Sequence, residues 1–159
     1  MNTIVIYDSL YGNTKVIAQA IAAGIPGEVK LIHVDTVSTN EIRAADLLIV
    51  GGPTHGGGPS DVMKAFLTTL DDTALTGKPA ATFDTRLTWW WLRPFGYAAP
   101  KIAKHLEKKG GRPVGKAEGF FVTGGKGPLQ AGEVERTATW AAEIVQLVEG
   151  AVTPVSANK

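Results

Sequence analysis

Residues 3–23 read TIVIYDSLYGNTKVIAQAIAA and contain a strand, a polar loop and a helix in immediate succession. The run Thr3–Tyr7 is short, apolar and β-branched, which is typical of a buried strand. Across Lys15–Ala23 the apolar side chains recur with a helical period, and Gly24 is of the type that commonly ends a helix. This order predicts the first unit of an α/β fold.

The same alternation continues along the chain. Further apolar runs predict strands at 29–34, 46–51, 79–83 and 119–123. Further helices are predicted at 40–45, from Ser60 onward, from Pro100 to Gly110 and at 132–148. Strands that alternate with helices form a parallel sheet covered on both faces. Ligands bind such sheets beyond the carboxyl ends of the strands, so the loops at those ends are the places to search for function.

The loop after the first strand predicts an anion site. It contains Ser9, Leu10, Tyr11, Gly12, Asn13 and Thr14. These donors stand directly before a helix N-terminus, where free N–H groups and the helix dipole favour a negative charge. The loop lacks both GxxxxGK[ST] and GxGxxG, so it is neither a P-loop nor a dinucleotide fingerprint. A capped turn that serves only the backbone is the alternative.

Two more loops are unusual in composition. Residues 51–60, GGPTHGGGPS, combine three successive glycines with two prolines, so a flat ligand can approach the backbone closely. Residues 83–97, FDTRLTWWWLRPFGY, hold five aromatic side chains within nine residues, outside any helical or strand period. So many large rings need a partner surface, which can be a planar ligand, a protein or the core itself.

Composition limits the function classes. The chain has 159 residues, of which 44% are apolar and 19% charged, typical of a globular domain. With no cysteine, it excludes disulfides, thiolate catalysis and cysteine-bound iron–sulfur clusters. No apolar run reaches the roughly 20 residues of a membrane helix, and no secretory signal is evident. We expect a cytoplasmic protein without membrane insertion, with one domain at residues 1–150 and a loose tail at 151–159.

Positive charge is concentrated between residues 86 and 116. This segment holds eight basic side chains and a single acid, Glu107. A solvated helix face is one interpretation, and a docking surface for an acidic partner is the other. The segment lacks the repeated aromatic pattern of a nucleic-acid reader, so nucleic acid is not expected as a partner.

Together, the three loops resemble those of the flavodoxin family, in order and in spacing, over nearly the whole chain. The stretches GGPTHGGGP, FDTR and GGKGPL also resemble flavodoxin domains of larger flavoproteins. The resemblance implies a three-layer sandwich with a parallel five-stranded sheet of order 2-1-3-4-5, non-covalently bound FMN and electron transfer between redox partner proteins. The loop after the fifth predicted strand is too short for a long insertion, as in short-chain members.

The resemblance also implies residue roles. The loop from Ser9 to Thr14 would hold the FMN phosphate. The flavin ring would be bordered by Pro53, Thr54, His55, Gly56, Gly57, Asp84, Thr85, Arg86, Trp89 and Trp91. One peptide within Gly56–Gly58 would face flavin N5. Tyr11 departs from the threonine of many flavodoxins, and the Trp triplet is bulkier than the usual second ring-side loop.

Three alternatives to an electron carrier remain open. An FMN-dependent NAD(P)H:quinone-type reductase uses the same fold. A binding module could have its flavin site filled by the side chains of Trp89–Trp91. A phosphoacceptor receiver domain shares the sheet order but needs an aspartate where Gly51 and Gly52 end the third strand. The expected assembly is a monomer or a weak dimer.

Overall fold

A computed structural model describes residues 1–152 and shows six strands and five α-helices in that range. The strands are β1 (Asn2–Tyr7), β2 (Glu28–His33), β3 (Leu47–Pro53), β4 (Pro79–Leu87), β5 (Arg112–Pro113) and β6 (Glu118–Val122). The helices are α1 (Asn13–Gly24), α2 (Thr39–Ala44), α3 (Asp61–Thr69), α4 (Ala98–Lys108) and α5 (Glu133–Val152), together with the 3₁₀ helix Trp90–Phe95.

The sheet is parallel throughout, and its order confirms the predicted fold class. Strands run in the order β2-β1-β3-β4, and both β5 and β6 pair with β4. The start of β4 pairs with β5, whereas its second half pairs with β6, from Phe83 opposite Glu118 to Leu87 opposite Val122. Two short strands therefore share the fifth position of the 2-1-3-4-5 order.

Helices cover both faces of this sheet and divide the core into two halves. Ile4 and Ile6 of β1 pack on the side of α3 and α4, while Val5 between them faces α1 and α5. This alternation follows from the period of two in a strand. Trp140 of α5 lies in the second half of the core against Phe83 and Phe120.

The observed elements differ from the predicted ones mainly at the carboxyl edge. β4 extends four residues past the predicted end at 83, because Asp84 and Thr85 are buried despite their polarity. The aromatic segment, predicted as irregular, forms the 3₁₀ helix. α5 runs to Val152, two residues past the predicted domain boundary, and residues 153–159 of the predicted tail lie outside the described residues.

A bilayer-spanning helix is not found within residues 1–152, since none of the helices there is both long and apolar enough.

Two adjacent glycines of β3 give a test of the packing at this edge. A Cβ at Gly51 would overlap the ring of Phe83, whereas one at Gly52 would lie 3.6 Å from Met63 Cε and 3.7 Å from Asp8 Cβ. We expect Gly51→Ala to lower the free energy of unfolding by about 1–3 kcal/mol through overpacking. Gly52→Ala should change it by less than about 1 kcal/mol. Urea denaturation measures both, and equal effects would contradict the packing described for Phe83.

Candidate functional site

Two adjoining cavities open at the carboxyl edge of the sheet. The helix-end cavity, of about 380 Å³, lies over the loop before α1, and the aromatic cavity, of about 440 Å³, lies beside the 3₁₀ helix. Both volumes fall in the range typical of ligand pockets. The two cavities share wall residues Thr54, Gly56, Arg86 and Leu87, so they adjoin one another, and the two together are called the cleft.

The N-terminus of α1 presents free amide groups to the helix-end cavity. Gly12 precedes the helix with φ of 91° and provides no side-chain cap. The Ser9 hydroxyl accepts a hydrogen bond from the Gly12 N–H at 3.0 Å. Within residues 1–152, no acceptor is found for the N–H groups of Asn13 and Thr14. Unpaired donors at a helix N-terminus form an anion-binding site.

A pair of buried hydroxyl groups ties this helix end to β4. Thr14 Oγ1 and Thr85 Oγ1 are 2.8 Å apart. The carbonyl of Thr85 accepts a hydrogen bond from the Thr54 N–H at 2.9 Å. Thr54 Oγ1 in turn accepts one from the Ala98 N–H at the start of α4, also at 2.9 Å. These bonds link α1, β4, the loop after β3 and the start of α4 into one framework.

Asp84 serves this framework from below the cleft. Its side chain is fully buried and lines neither cavity. The carboxylate accepts two hydrogen bonds from Arg86, at 2.7 and 2.8 Å, and one from the Ala99 N–H at 2.8 Å. Burial raises the pKa of Asp84, and the Arg86 guanidinium counteracts that shift. The guanidinium also stacks on the Tyr97 ring at 3.7 Å, so Arg86 forms a flat wall shared by both cavities.

Residues 55–58 form a tight turn between the cavities. The His55 N–H donates to the Gly58 carbonyl at 2.8 Å, and the Gly58 N–H donates to the His55 carbonyl at 3.2 Å. The central residues, Gly56 and Gly57, have φ of 58° and 81°, which favours glycine at both positions. A Cβ at Gly57 would overlap the carbonyl of Phe95. The turn is therefore packed directly on the 3₁₀ helix.

The three tryptophans form a cluster at the aromatic cavity. Trp89 and Trp91 are stacked with ring centroids 5.2 Å apart, and Trp90 meets Trp91 edge to face at 6.1 Å. Trp90 is 73% exposed. Of the three, Trp89 lines the cavity, together with Leu92, Phe95 and Tyr97.

Most of the predicted site residues line the cleft. Those on the helix-end cavity are Leu10, Tyr11, Asn13, Thr14, Pro53, Thr54, His55, Gly56, Thr85 and Arg86, and those that line only the aromatic cavity are Gly57 and Trp89. Ser9, Gly12, Asp84 and Trp91 line neither cavity. Which of them contact a ligand stays a prediction.

Several cleft residues were not among the predicted site residues. They are Leu87, Leu92, Phe95, Gly96, Tyr97, Val122, Gly125 and Lys126. Lys126 is the most informative of them, because its Nζ lies 5.7 Å from the centre of the Tyr11 ring and brings a cation to the helix-end cavity. Lys126 is the lysine of the stretch GGKGPL, and this stretch is the sequence feature that could have indicated its role.

Comparison with known proteins identifies close matches in sequence and fold. The family model described as Flavodoxin matches residues 5–142. A flavodoxin of Aquifex aeolicus is 39% identical over 96 residues, which is 54% of this chain and 50% of the relative. An NAD(P)H dehydrogenase (quinone) of Solidesulfovibrio magneticus is 28% identical over 120 residues, covering 55% of this chain and 59% of the relative.

Among solved structures, oxidised flavodoxin 1 of Bacillus cereus aligns with a TM-score of 0.75 and 25% identity, over 92% of this chain and 98% of the other. A flavodoxin from the domain Archaea aligns with a TM-score of 0.76 and 23% identity, over 94% and 99%. The matches to the two curated relatives cover only 50% and 59% of their lengths.

The hydroxyl pair of Thr14 and Thr85 gives a test of the framework. Thr14→Val or Thr85→Val leaves one buried hydroxyl without its partner, so each should lower the free energy of unfolding by about 1–3 kcal/mol. The double variant removes both polar groups and should cost clearly less than the sum of the single variants. Urea denaturation of the four proteins measures this coupling. Strictly additive losses would show that the two hydroxyl groups do not interact.

Proposed function

This chain belongs to the flavodoxin family, and we propose that it binds FMN in the cleft and passes electrons between redox partner proteins. FMN binding and electron transfer are the properties of this family. The observation that carries the proposal for this chain is the cleft, in which free helix N–H groups at one end adjoin an aromatic-lined cavity at the other.

The helix-end cavity fits the phosphate of FMN. The free N–H groups of Asn13 and Thr14 are preorganised donors for a phosphate monoester, and the dipole of α1 favours its charge. Lys126, which also lines this cavity, adds a positive charge. We propose that Ser9 and Gly12 shape this loop, since the Ser9 hydroxyl accepts the Gly12 N–H.

The aromatic cavity fits a flat heterocycle. Gly56 lies on both cavities, and a Cβ at this position would meet nothing within 4 Å, so the backbone is open to a ring there. Thr54, Arg86 and Trp89 would border the ring, and Asp84 would hold the Arg86 wall in place. Bound FMN supplies one- and two-electron redox chemistry. The protein binds the phosphate, orients the ring and shields part of the ring from water.

Exposed apolar side chains surround the mouth of the cleft. Trp90 and Phe95 are 73% and 65% exposed on one side, and Tyr11 is 58% exposed on the other. Such a patch is typical of an interaction surface. Exposed Arg93, Lys101 and Lys104 lie on the adjoining elements, so an acidic redox protein fits this face best. Arg86 and Lys109 of the basic segment pair with Asp84 and Asp72 and contribute less to it.

A reductase that takes hydride from NAD(P)H is the second candidate function. The sequence similarity to an NAD(P)H dehydrogenase (quinone) favours it. Rapid reduction of bound FMN by NADH or NADPH alone would support this function over electron transfer between proteins.

A cytoplasmic location and a monomeric or weakly dimeric state remain part of the proposal.

A filled flavin site is the third possibility, and the geometry argues against it. Trp89 lines the aromatic cavity, while Trp90 and Trp91 project largely into solvent. An absorption spectrum with flavin bands, obtained after addition of FMN to the purified protein, would exclude a plugged site.

The phosphate role of the α1 N-terminus is tested by Asn13→Asp. A carboxylate beside the free N–H groups should repel the phosphate dianion and lower the affinity for FMN by roughly tenfold or more. Riboflavin, which lacks the phosphate, should bind the wild-type protein and Asn13→Asp equally. Asn40→Asp makes the same charge change at an exposed position of α2 and should leave FMN binding unchanged. Fluorescence titration measures these affinities, and equal FMN affinity of the two variants would place the phosphate elsewhere.

The docking face is tested by ionic strength. Electron transfer to an acceptor protein of net negative charge should slow as salt rises, and transfer to one of net positive charge should not. Arg93→Glu should slow electron transfer to the acidic acceptor at low salt. Lys30→Glu on the distant β2 should have a small effect on that rate. Stopped-flow kinetics measures the rates. A rate that rises with salt for the acidic acceptor would refute the proposed partner chemistry.

A further inference from the structure

The three peptide units that join residues 55–58 differ in their hydrogen bonding. The Gly57–Gly58 unit is bound at both ends, since its N–H donates to the His55 carbonyl and its carbonyl accepts from Lys101. The His55–Gly56 unit is held at its carbonyl by Gly58. Within residues 1–152, the Gly56–Gly57 unit has no hydrogen-bond partner for its carbonyl or its N–H. This central unit can therefore rotate without breaking a bond of the turn.

Lys101 of α4 anchors the turn from outside the cleft. Its Nζ donates to the Gly57 carbonyl at 2.7 Å and to the Phe95 carbonyl at 3.2 Å. The stem of the side chain passes so close to Gly96 that a Cβ there would lie 3.2 Å from Lys101 Cε. One ammonium group thus joins the glycine turn to Phe95 at the end of the 3₁₀ helix.

We propose that Lys101 is a positioning residue for the flavin site, because its ammonium group fixes the turn that carries the free Gly56–Gly57 peptide. The inference rests on the proposed FMN site. Lys101 lines neither cavity and acts on the ring only through Gly57. Its bond to Gly57 leaves the central peptide free, so the turn keeps its place while that peptide can present either its N–H or its carbonyl to the cleft.

This role differs from that of a simple surface charge. Bound FMN would take up its first electron together with a proton at N5, so the net charge of the ring would not change. Loss of a cation should therefore alter the first potential little by charge alone. Loss of a correctly placed carbonyl acceptor for the N5 proton should make that potential more negative.

The test compares Lys101→Met with Lys104→Met. Methionine keeps an unbranched stem but removes the donor and the charge. Lys104 lies one helical turn further along α4 and is exposed, and within residues 1–152 its side chain makes no hydrogen bond. Hydrogen exchange of the apoprotein follows the amides of His55, Gly58 and Gly96. Redox titration of the FMN-loaded proteins gives the first potential.

We expect amide exchange at the turn to be severalfold faster in Lys101→Met than in wild type, and unchanged in Lys104→Met. The first potential should be more negative in Lys101→Met alone, and Lys101→Arg, which restores charge and donors, should recover most of both effects. Equal exchange and equal potentials in the two methionine variants would overturn the proposal. Failure of the wild-type protein to bind FMN would instead refute the proposed function, whatever the exchange data show.

Discussion

Parallel pairing of β1, β3 and β4 is the constraint on which the rest of this structure depends. Since all three strands run in one direction, their carboxyl ends meet at one edge, and the loops that leave them share one cleft. The register places Tyr7 beside Gly51 and Gly52 beside Asp84. A side chain at Gly51 would overlap Phe83. Close packing between β3 and β4 therefore restricts which residues can stand at this edge, in addition to the loop residues.

The cleft divides two tasks between different kinds of group. At the α1 end, backbone N–H groups left free by the helix geometry offer an anion site that needs little from side chains. At the other end, glycine backbone and aromatic rings offer a broad surface for a planar group. Hydrogen bonds run from Thr14 through Thr85 to Thr54, which lines both cavities, and so connect the two ends. Such preorganisation suits a ligand that carries a phosphate and a planar ring.

Much of this arrangement could be predicted from the sequence because it depends on local signals. Apolar β-branched runs predicted the strands, and Ser60 does cap α3 by accepting the Met63 N–H at 3.2 Å. Features that depend on distant partners could not be predicted. The two residues of β5 carry no apolar pattern, Asp84 turns to Arg86 below the cleft, and the contact of Lys101 with Gly57 joins positions 44 residues apart in the chain.

The central claim is that the free amides of α1 hold the phosphate of FMN. Amide chemical shifts of the ¹⁵N-labelled apoprotein test it most directly, because a hydrogen bond to a phosphate moves an N–H resonance downfield. We predict large downfield shifts for Asn13 and Thr14 on addition of FMN, and not on addition of riboflavin. Unchanged resonances at both residues in the FMN-saturated protein would contradict the account.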